Sequence, residues 1–303
     1  MKAVQFAEYG DPEVMQVQEV EEPHAGPGQV RIAVRAAGVN PMDWKIRGGM
    51  MAGGAALASP SIPGADAAGV VDEVGEGVEG AAEGDEVFGS AVGGAYAQYA
   101  VLTAFAQKPE GMSFEEAAGL PVPVETAVRT LDILGLDSGQ TLLINGAAGG
   151  VGQAAVQFAR ARGAEVIGTA SEANHELLES LGAKATTYGD GLPDRVRELA
   201  PDGVDVALDA AGHGAAADLV EITGDPQRVV TIADFEAPAK LGVKITDGSE
   251  GRSWQALGQA AEMFEKGEFS LPVAQTFSLD EAPEAHRVSQ DGHARGKLVL
   301  LPE

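Results

Sequence analysis

The sequence predicts an α/β protein with a β-rich part and a doubly wound parallel sheet. Residues 1 to about 110 contain short alternating runs separated by Gly, Pro and acidic residues, a pattern typical of strands joined by turns. From about 115 to 270, strand-like and helix-like stretches alternate, which indicates a parallel sheet with helices on both faces. The tail returns to a β pattern, so we expect it to rejoin the first part.

The strand-like runs of the β-rich part alternate apolar and polar residues. They cover residues 28–39, 67–75 and 95–102, and the tail contains a further run within 295–303. In the second part, short β-type runs cover 141–145, 164–170, 184–188, 204–210 and 227–233. The helical stretches between them cover 150–162, 174–181 and 193–200, and a longer one at 253–268 closes this part.

Charge and composition restrict the partners. The chain has 303 residues, a formal net charge of −26 and a pI near 4.4. Such a surface repels nucleic acid and anionic membranes, so we expect neither as a partner. A salt-adapted proteome and ordinary solubility explain the acidity equally well. No run reaches the ~18 to 20 apolar residues of a membrane span, and no secretory signal begins the chain, so we expect a cytoplasmic protein.

Metal-binding residue types are scarce in this sequence. It contains no cysteine, which removes disulfides, thiol nucleophiles and cysteine-ligated zinc. The histidines lack metal-ligand spacing, and they stand at positions 24, 175, 213, 286 and 293. We therefore expect no metal.

Two glycine-rich stretches compete for the role of a phosphate-binding loop. "GEGVEG" (75–80) matches the G-x-G-x-x-G pattern, but an acidic, glycine-broken stretch follows it instead of a helix. Its glutamates would also repel a pyrophosphate, so we interpret it as a turn between strands. "NGAAGGVGQ" follows a buried strand and opens an amphipathic helix that ends at Gly163. Amide groups at the start of that helix would point at an anion. The second stretch therefore predicts a dinucleotide site, although a glycine turn without a ligand is the alternative.

The strand that follows this helix bears on the choice of dinucleotide. An acidic residue at its end would bind the ribose 2′-hydroxyl of NAD and repel a 2′-phosphate. The strand ends instead at Ser171, which is neutral, so the sequence favours NADP(H) over NAD(H). Glu172 follows directly, and Ser171 could serve only as a helix N-cap.

Motifs along nearly the whole chain resemble one family. They include "GVNPMDWKIRGG" (38–49), "IPGADAAGVVDEVGEGV" (62–78), "VFGSAVGGAYAQYAV" (87–101), "GLPVPVETAVRTL" (119–131), residues 144–171 and "RGKLVLL" (295–301). The sequence resembles the zinc-independent, zeta-crystallin-like quinone oxidoreductases of the medium-chain dehydrogenase/reductase superfamily. The resemblance implies a GroES-like domain formed by residues 1–114 and 272–303, and an inserted Rossmann domain formed by 115–271. It also implies a cleft between them for nicotinamide and substrate.

The resemblance assigns residues of the Rossmann domain to the cofactor. At the pyrophosphate it places Ala148, Gly149, Gly150 and Val151. Ser171 and Tyr188 are expected near the 2′-phosphate, and Thr126 and Ile232 near the nicotinamide half. A strand-end aromatic is the alternative interpretation of Tyr188, and a helix-start residue is that of Thr126.

In the other domain, the resemblance assigns Asn40 and Lys45 to the cofactor and the reaction. Asn40 would face the nicotinamide, and Lys45 stands where relatives often carry a cofactor-contacting tyrosine. The alternative interpretation of Asn40 is a turn residue, and the alternative interpretation of Lys45 is a solvated surface lysine. Zinc-dependent relatives carry Cys at the position of Asn40 and a His-Glu pair at Ala65 and Asp66, so the resemblance implies no zinc. NADP-preferring relatives often place Arg or Lys near Ser171, and this chain does not.

Without a metal, hydride must pass to an acceptor that is already electron-poor. We therefore expect an NADPH-dependent reductase of a quinone or an α,β-unsaturated carbonyl compound. The candidate catalytic residues are Asn40, Lys45 and Asp43. Asn40 and Lys45 would donate hydrogen bonds to the developing oxyanion, and Asp43 would act as a proton relay or only cap a turn. The apolar loop 50–60 agrees with a small hydrophobic acceptor.

Two alternatives remain at the level of sequence. One is an enoyl-thioester reductase, and the other is a non-catalytic NADPH-binding protein with a structural or sensing role. Family resemblance also suggests a homodimer, formed through the edge strands of the Rossmann sheet.

Overall fold

The structure is a computed structural model that describes residues 1–292 and 294–302, so His293 lies outside the described residues. The chain divides into two compact units. Unit 1 is formed by Met1–Val122 and Leu257–Glu303, and unit 2 by Pro123–Ala256. The resemblance placed the junctions near 114 and 272, about eight and fifteen residues from these divisions.

The described part of unit 1 is mostly β-sheet. Its strands are β1 (Lys2–Gln5), β2 (Gln16–Glu19), β3 (Val30–Val39), β4 (Asp66–Val74), β5 (Glu86–Val92), β6 (Tyr99–Gln107), β13 (Val273–Ser278) and β14 (Lys297–Leu301). Its helices are α1 (Pro41–Arg47), α2 (Phe114–Ala118) and α10 (Ala282–Asp291). Helices α3 (Pro121–Leu134) and α9 (Gln255–Glu265) each begin in one unit and end in the other.

The main sheet of unit 1 has the strand order β13-β14-β3-β4-β5-β6. Strand β3 also pairs with β6, so β3 to β6 close into a barrel. Alternate residues of β3 point into the barrel, and Val30, Ile32 and Val34 are buried there. The tail strand β14 pairs with β3 in antiparallel register, Leu298 opposite Val39, as the β pattern of the tail indicates.

Unit 2 alternates strands and helices. Its strands are β7 (Thr141–Asn145), β8 (Glu165–Thr169), β9 (Lys184–Thr186), β10 (Val206–Asp209), β11 (Val229–Thr231) and β12 (Lys244–Ile245). Its helices are α4 (Gly150–Ala161), α5 (His175–Ser180), α6 (Leu192–Leu199), α7 (Ala216–Thr223) and α8 (Ala237–Leu241).

All pairings in the sheet of unit 2 are parallel, and the strand order is β12-β11-β10-β7-β8-β9. The order of connection reverses between β7 and β10, which is the switch point of a Rossmann sheet. The predicted α/β class, with a GroES-like and a Rossmann part, is confirmed.

Two local predictions can be compared with the structure. "GEGVEG" forms a turn between β4 and β5, with Gly77 and Gly80 at positive φ, so that prediction is confirmed. The strand predicted at 95–102 was wrong at its start, because β6 begins at Tyr99. The amides of Ala95 and Tyr96 bond to the carbonyl of Pro63 and hold that segment as a loop.

Among the helices of residues 1–292 and 294–302, none combines the length and apolarity required to cross a membrane.

Candidate functional site

The glycine loop of unit 2 connects β7 to α4 at the carboxyl edge of the sheet. Gly146 adopts a φ of 80°, and the amide of Gly149 bonds to the Gly146 carbonyl at 3.1 Å, so the chain turns tightly. The Ala147 amide bonds to the carbonyl of Thr169 at 3.0 Å, which ties the turn to β8. Gly149 is the N-cap of α4 and caps it with no side chain. The backbone N–H groups in the first turn of α4 therefore remain available to bind an anion.

Gly149 and Gly152 lack side chains for different reasons. A Cβ on Gly152 would lie 2.3 Å from the Gly146 carbonyl oxygen and 2.6 Å from Ala147 Cα, so this glycine lets α4 pack against the turn. A Cβ on Gly149 would meet only the Gly146 oxygen, at 3.5 Å. The protein itself therefore does not require glycine at 149. The bare backbone there forms a cradle that a side chain would fill, and this fits a pyrophosphate.

A row of buried polar residues ends four neighbouring strands beside this loop. Thr169 Oγ1 donates to Asn145 Oδ1 at 2.8 Å, and Asn145 Nδ2 donates to Asp209 Oδ1 at 2.8 Å. Thr231 Oγ1 donates to Asp209 Oδ2 at 3.0 Å. The row fixes the carboxyl ends of β11, β10, β7 and β8, where a Rossmann sheet binds its ligand. Sequence reasoning missed it, although each of these apolar runs ends in a polar residue.

Ser171 and Tyr188 follow β8 and β9 at the same edge of the sheet. Ser171 is exposed and accepts a hydrogen bond from Asn174 Nδ2 at 3.2 Å, and Tyr188 is 61% exposed. Arg195 of α6, which sequence reasoning did not select, binds the loop of Tyr188. Its Nη2 donates to the Thr187 carbonyl at 2.9 Å and its Nη1 to the Asp190 carbonyl at 2.6 Å. The positively charged Arg195 side chain is therefore held against the backbone of the loop that carries Tyr188.

The other two Rossmann residues assigned to the cofactor lie apart from the glycine loop in sequence. Ile232 follows β11 and is partly buried, and its amide bonds to the Asp209 carbonyl at 3.0 Å. Thr126 is buried in α3 beside the ion pair of Glu125 and Arg129, whose closest atoms are 2.8 Å apart. This pair was also missed, since its residues are four positions apart and read as an ordinary helix-surface pair.

In unit 1, Asn40 occupies the N-cap of α1 at the end of β3 and is 3% exposed. Its backbone amide donates to Asp43 Oδ2 at 2.8 Å, so Asp43 and not the Asn40 side chain closes the first turn. The Asn40 side chain turns instead toward two charged groups. Its Nδ2 donates to Asp66 Oδ2 at 2.8 Å, and its Oδ1 accepts from Lys297 Nζ at 2.6 Å.

Burial perturbs every charged group in this cluster. It raises the pKa of Asp66 to about 7, although the Lys297 ammonium and the hydrogen bond from Asn40 act to lower it. It raises the pKa of Asp43 to about 6 against the hydrogen bonds from Asn40 and Tyr96. Burial also lowers the pKa of Lys297, while both carboxylates oppose that shift. Groups with perturbed pKa values that converge in one place are typical of functional sites.

Asp43 has the geometry of the turn cap that was its alternative interpretation. Besides the Asn40 amide, its Oδ2 accepts from the Tyr96 hydroxyl at 2.9 Å. That hydroxyl lies 3.2 Å from His286 Nε2. The Tyr96 hydroxyl uses its only hydrogen in the bond to Asp43, so while Asp43 is ionised the contact with His286 requires Nε2 to be the donor. A relay role for Asp43 stays a prediction.

Lys45 lies on α1 with its Nζ 5.6 Å from the centre of the Trp44 ring, and burial lowers its pKa. On the same helix, Met42, Asp43 and Ile46 line a cavity of about 550 Å³. Phe6, Leu57 and Ile62 add to its apolar wall, so the loop 50–60 contributes as its composition suggests. The cavity can hold a small apolar molecule.

Among the described residues, no group of three or more His, Asp or Glu side chains could hold a metal ion. The donor set at Asn40 is also unsuited to one. Asn40 Oδ1 already faces an ammonium, and both oxygens of Asp66 accept N–H groups, the second from the Val122 amide at 3.0 Å.

Comparison with known proteins agrees with this architecture. Residues 26–110 match the family model described as "Alcohol dehydrogenase GroES-like domain", and residues 181–300 match "Zinc-binding dehydrogenase". The chain is 34% identical to the 2-methylene-furan-3-one reductase of Solanum lycopersicum, over 100% of this chain and 79% of that protein. It is 32% identical to the quinone oxidoreductase of Mus musculus, over 99% of this chain and 98% of that one. A segment forming 8% of a Streptomyces venezuelae polyketide synthase component, PikAII, is 37% identical over 91% of this chain.

Solved structures give the same result. The quinone oxidoreductase of Coxiella burnetii superimposes with a TM-score of 0.83 at 29% identity, over 99% of both chains. An NAD-dependent alcohol dehydrogenase gives 0.85 at 31% identity, over 99% of both chains. A mycobacterial protein solved in complex with NADPH gives 0.81 at 26% identity, over 100% of both.

The chain therefore belongs to the medium-chain dehydrogenase/reductase superfamily and, within it, to the zeta-crystallin-like quinone oxidoreductases. It is an oxidoreductase of that type, and the family implies a nicotinamide cofactor.

Proposed function

We propose that this protein is an NADPH-dependent, zinc-independent reductase that delivers hydride to a quinone or an α,β-unsaturated carbonyl compound. The observation that carries the proposal is the 2.6 Å contact between Lys297 Nζ and Asn40 Oδ1. An ammonium at this contact would repel a zinc ion. The protein would then lack a Lewis acid to polarise an alcohol or a simple ketone, so its acceptor must already be electron-poor.

The residues of unit 2 support the cofactor part of the proposal. The Gly149 cradle and the uncapped amides of α4 would hold the pyrophosphate, and the reduced nicotinamide, when bound, supplies the hydride. Ser171 is neutral, and Arg195 places a positive charge beneath the loop of Tyr188. Both features favour a 2′-phosphate over a 2′-hydroxyl. Of the similar solved structures, one mycobacterial protein was determined with NADPH and another protein is described as NAD-dependent, so the choice of NADPH rests on Ser171 and Arg195.

The residues of unit 1 support the acceptor part. Asn40 uses one N–H of its amide on Asp66, and the second would donate to the acceptor oxygen, where negative charge develops during hydride transfer. The cavity beside Asp43 and Ile46 has apolar side chains in its wall and would bind the hydrocarbon portion of the acceptor. The product then takes its remaining proton from water, and no dedicated acid is required.

An enoyl-thioester reductase is the second candidate, since segments of polyketide synthases are among the relatives. Hydride transfer to that acceptor is the same chemistry on a carrier-bound chain. The acidic surface argues against it, because a carrier arm with a phosphate group would be repelled.

The test measures NADPH oxidation by absorbance with 1,4-benzoquinone, a simple enone, crotonyl-coenzyme A and, in the reverse direction, ethanol with NADP⁺. We expect turnover with the quinone or the enone, unchanged by a chelator, and none with ethanol. Preferred turnover of the thioester would support the second candidate. Tight NADPH binding with no turnover of any acceptor would overturn both and favour a non-catalytic protein.

A further inference from the structure

We propose that Lys297 is a positioning residue that orients the Asn40 amide for hydrogen bonding to the acceptor. The inference rests on the proposed function and identifies how its donor is held in place.

Lys297 is the first residue of β14 and reaches the end of β3 from the neighbouring strand. Its side chain is 5% exposed, and its Nζ donates to Asn40 Oδ1 at 2.6 Å and to the Val39 carbonyl at 3.0 Å. A buried lysine on a sheet strand is costly, because its charge is removed from water. The cost indicates that the ammonium has a role that an apolar residue could not fill.

The donors and acceptors of this contact determine which way the amide faces. An ammonium can only donate, so the Asn40 atom beside it must be the oxygen. The amide nitrogen then faces Asp66, whose carboxylate can only accept when ionised. The amide is held from both sides. In the described residues one of its two N–H groups bonds to Asp66, and the proposal assigns the other to the acceptor.

The backbone around Lys297 is shaped to admit its side chain. A Cβ on Gly119 would lie 3.0 Å from Lys297 Cγ, so this glycine leaves room for the aliphatic stem. A Cβ on Gly38 would lie 2.2 Å from the Ala118 carbonyl oxygen and 3.1 Å from Asp66 Cβ. Gly119 therefore leaves room for Lys297 itself, whereas Gly38 lets β3 lie close to the end of α2.

The same cluster gives the proposal a pH signature. Both Asp66 oxygens accept N–H groups, so protonation of Asp66 breaks one of those bonds and loosens the amide. Lys297 from β14 lowers the Asp66 pKa, whereas Asp43 from α1 raises it. Removing the ammonium must therefore move the protonation of Asp66 to higher pH. Activity that needs ionised Asp66 would then be lost at a higher pH than in the wild type.

The experiment compares Lys297→Met with Lys184→Met, which removes an exposed lysine paired with Glu165 in unit 2. We expect Lys297→Met to lower kcat/KM for the quinone or enone by about 10- to 100-fold. This is less than the roughly 100- to 1000-fold cost of removing an oxyanion donor, because the Asn40 donor remains and loses only its orientation. NADPH affinity should stay within about twofold, and the acid limb of the pH profile should rise by about one unit. Lys184→Met should match the wild type. An unchanged rate and pH profile in Lys297→Met would overturn the proposal.

A double-mutant cycle tests whether Lys297 acts through Asn40. If it does, Lys297→Met should cost little more in an Asn40→Ala background, because the positioned group is already gone. Full additivity would overturn the proposal. Should Lys297→Met fail to fold by circular dichroism, Lys297→Gln, which keeps a donor toward Asn40 Oδ1, replaces it, and the acid limb is compared in the same way.

A measurement without turnover separates this inference from the proposed function. The carbon-13 shift of the Asp66 carboxyl group reports its pKa directly, and we expect the pKa to be higher in Lys297→Met. A wild type inactive on every acceptor would overturn the proposed function, while this rise would still support the contact between Lys297 and the amide network. No rise would overturn the network itself.

Discussion

The fold would accept a side chain at Gly149, whereas the packing of α4 against the preceding turn requires a glycine at Gly152. The two glycines belong to one sequence pattern, and the pattern alone assigns them similar importance. Their different surroundings separate binding from stability at the scale of single residues.

Gly149→Asp should abolish NADPH binding and leave stability intact. The φ of −75° and the open space at Gly149 accept a side chain, and aspartate is a favourable N-cap. Its carboxylate would lie where we propose that the pyrophosphate binds. Fluorescence titration with NADPH measures the affinity, and urea unfolding measures the stability. Gly149→Asn, of the same size without the charge, is the matched control and should lose less affinity.

Gly152→Ala serves as the contrasting variant. Its Cβ would collide with the turn, so we expect the free energy of unfolding to fall by ~1 to 3 kcal/mol. Gly77→Asp, in the rejected motif, should leave NADPH affinity unchanged. A large loss of affinity in Gly77→Asp would show that the wrong glycine stretch was assigned to the cofactor.

Some residues of the candidate site could be recognised from sequence because a local pattern carries them. The glycine loop is such a case, since a strand, a turn and a helix stand next to one another in the chain. Lys297 is the opposite case. It meets Asn40 across a separation of 257 residues, and no pattern around either residue indicates the contact. Its one signal is a lysine that opens the apolar run of β14.

At the scale of elements, helix α6 supports the loop that follows β9. Arg195 on this helix donates to the carbonyl groups of Thr187, Gly189 and Asp190, so the loop that carries Tyr188 depends on it. The sequence predicted both the helix and the strand. It did not connect them, because the arginine reads as a solvent-exposed residue of an amphipathic helix.

Arg195→Met should weaken NADPH binding more than NADH binding. The variant removes the positive charge beneath the Tyr188 loop, and in the proposed site only the 2′-phosphate depends on that charge. We expect the KM for NADPH to rise by about tenfold, equivalent to ~1.4 kcal/mol, and the KM for NADH to change little. Steady-state kinetics with both cofactors measures this.

The matched control is Arg197→Met on the same helix, because Arg197 forms exposed ion pairs with Asp194 and Glu221. It should change neither KM. Equal changes for the two cofactors in Arg195→Met would show that the arginine has no part in selecting NADPH.

At the scale of the whole molecule, charge is the dominant feature. Asp and Glu number 46 against 20 Lys and Arg, so most carboxylates have no cationic partner available. Their mutual repulsion destabilises the compact state. The excess of carboxylates follows from the composition alone, whereas the positions of the buried ion pairs could be found only from the structure.

Salt should therefore stabilise this protein. Between about 0.01 M and about 1 M NaCl the Debye length falls from ~30 to ~3 Å, and repulsion between surface carboxylates is screened. We expect the Tm from calorimetry to rise with NaCl and to level off once screening is complete. Sucrose, which stabilises proteins without screening charge, is the control. A Tm that falls with NaCl would contradict a dominant role for this repulsion.

The placement of β14 beside β3 also affects how the chain folds. Unit 2 is one continuous segment, so its strands find partners at moderate sequence separation. The pairing that delivers Lys297 to Val39 joins residues 258 apart, and closing so long a loop is slow. In a refolding experiment, we therefore expect NADPH binding to recover earlier than reductase activity.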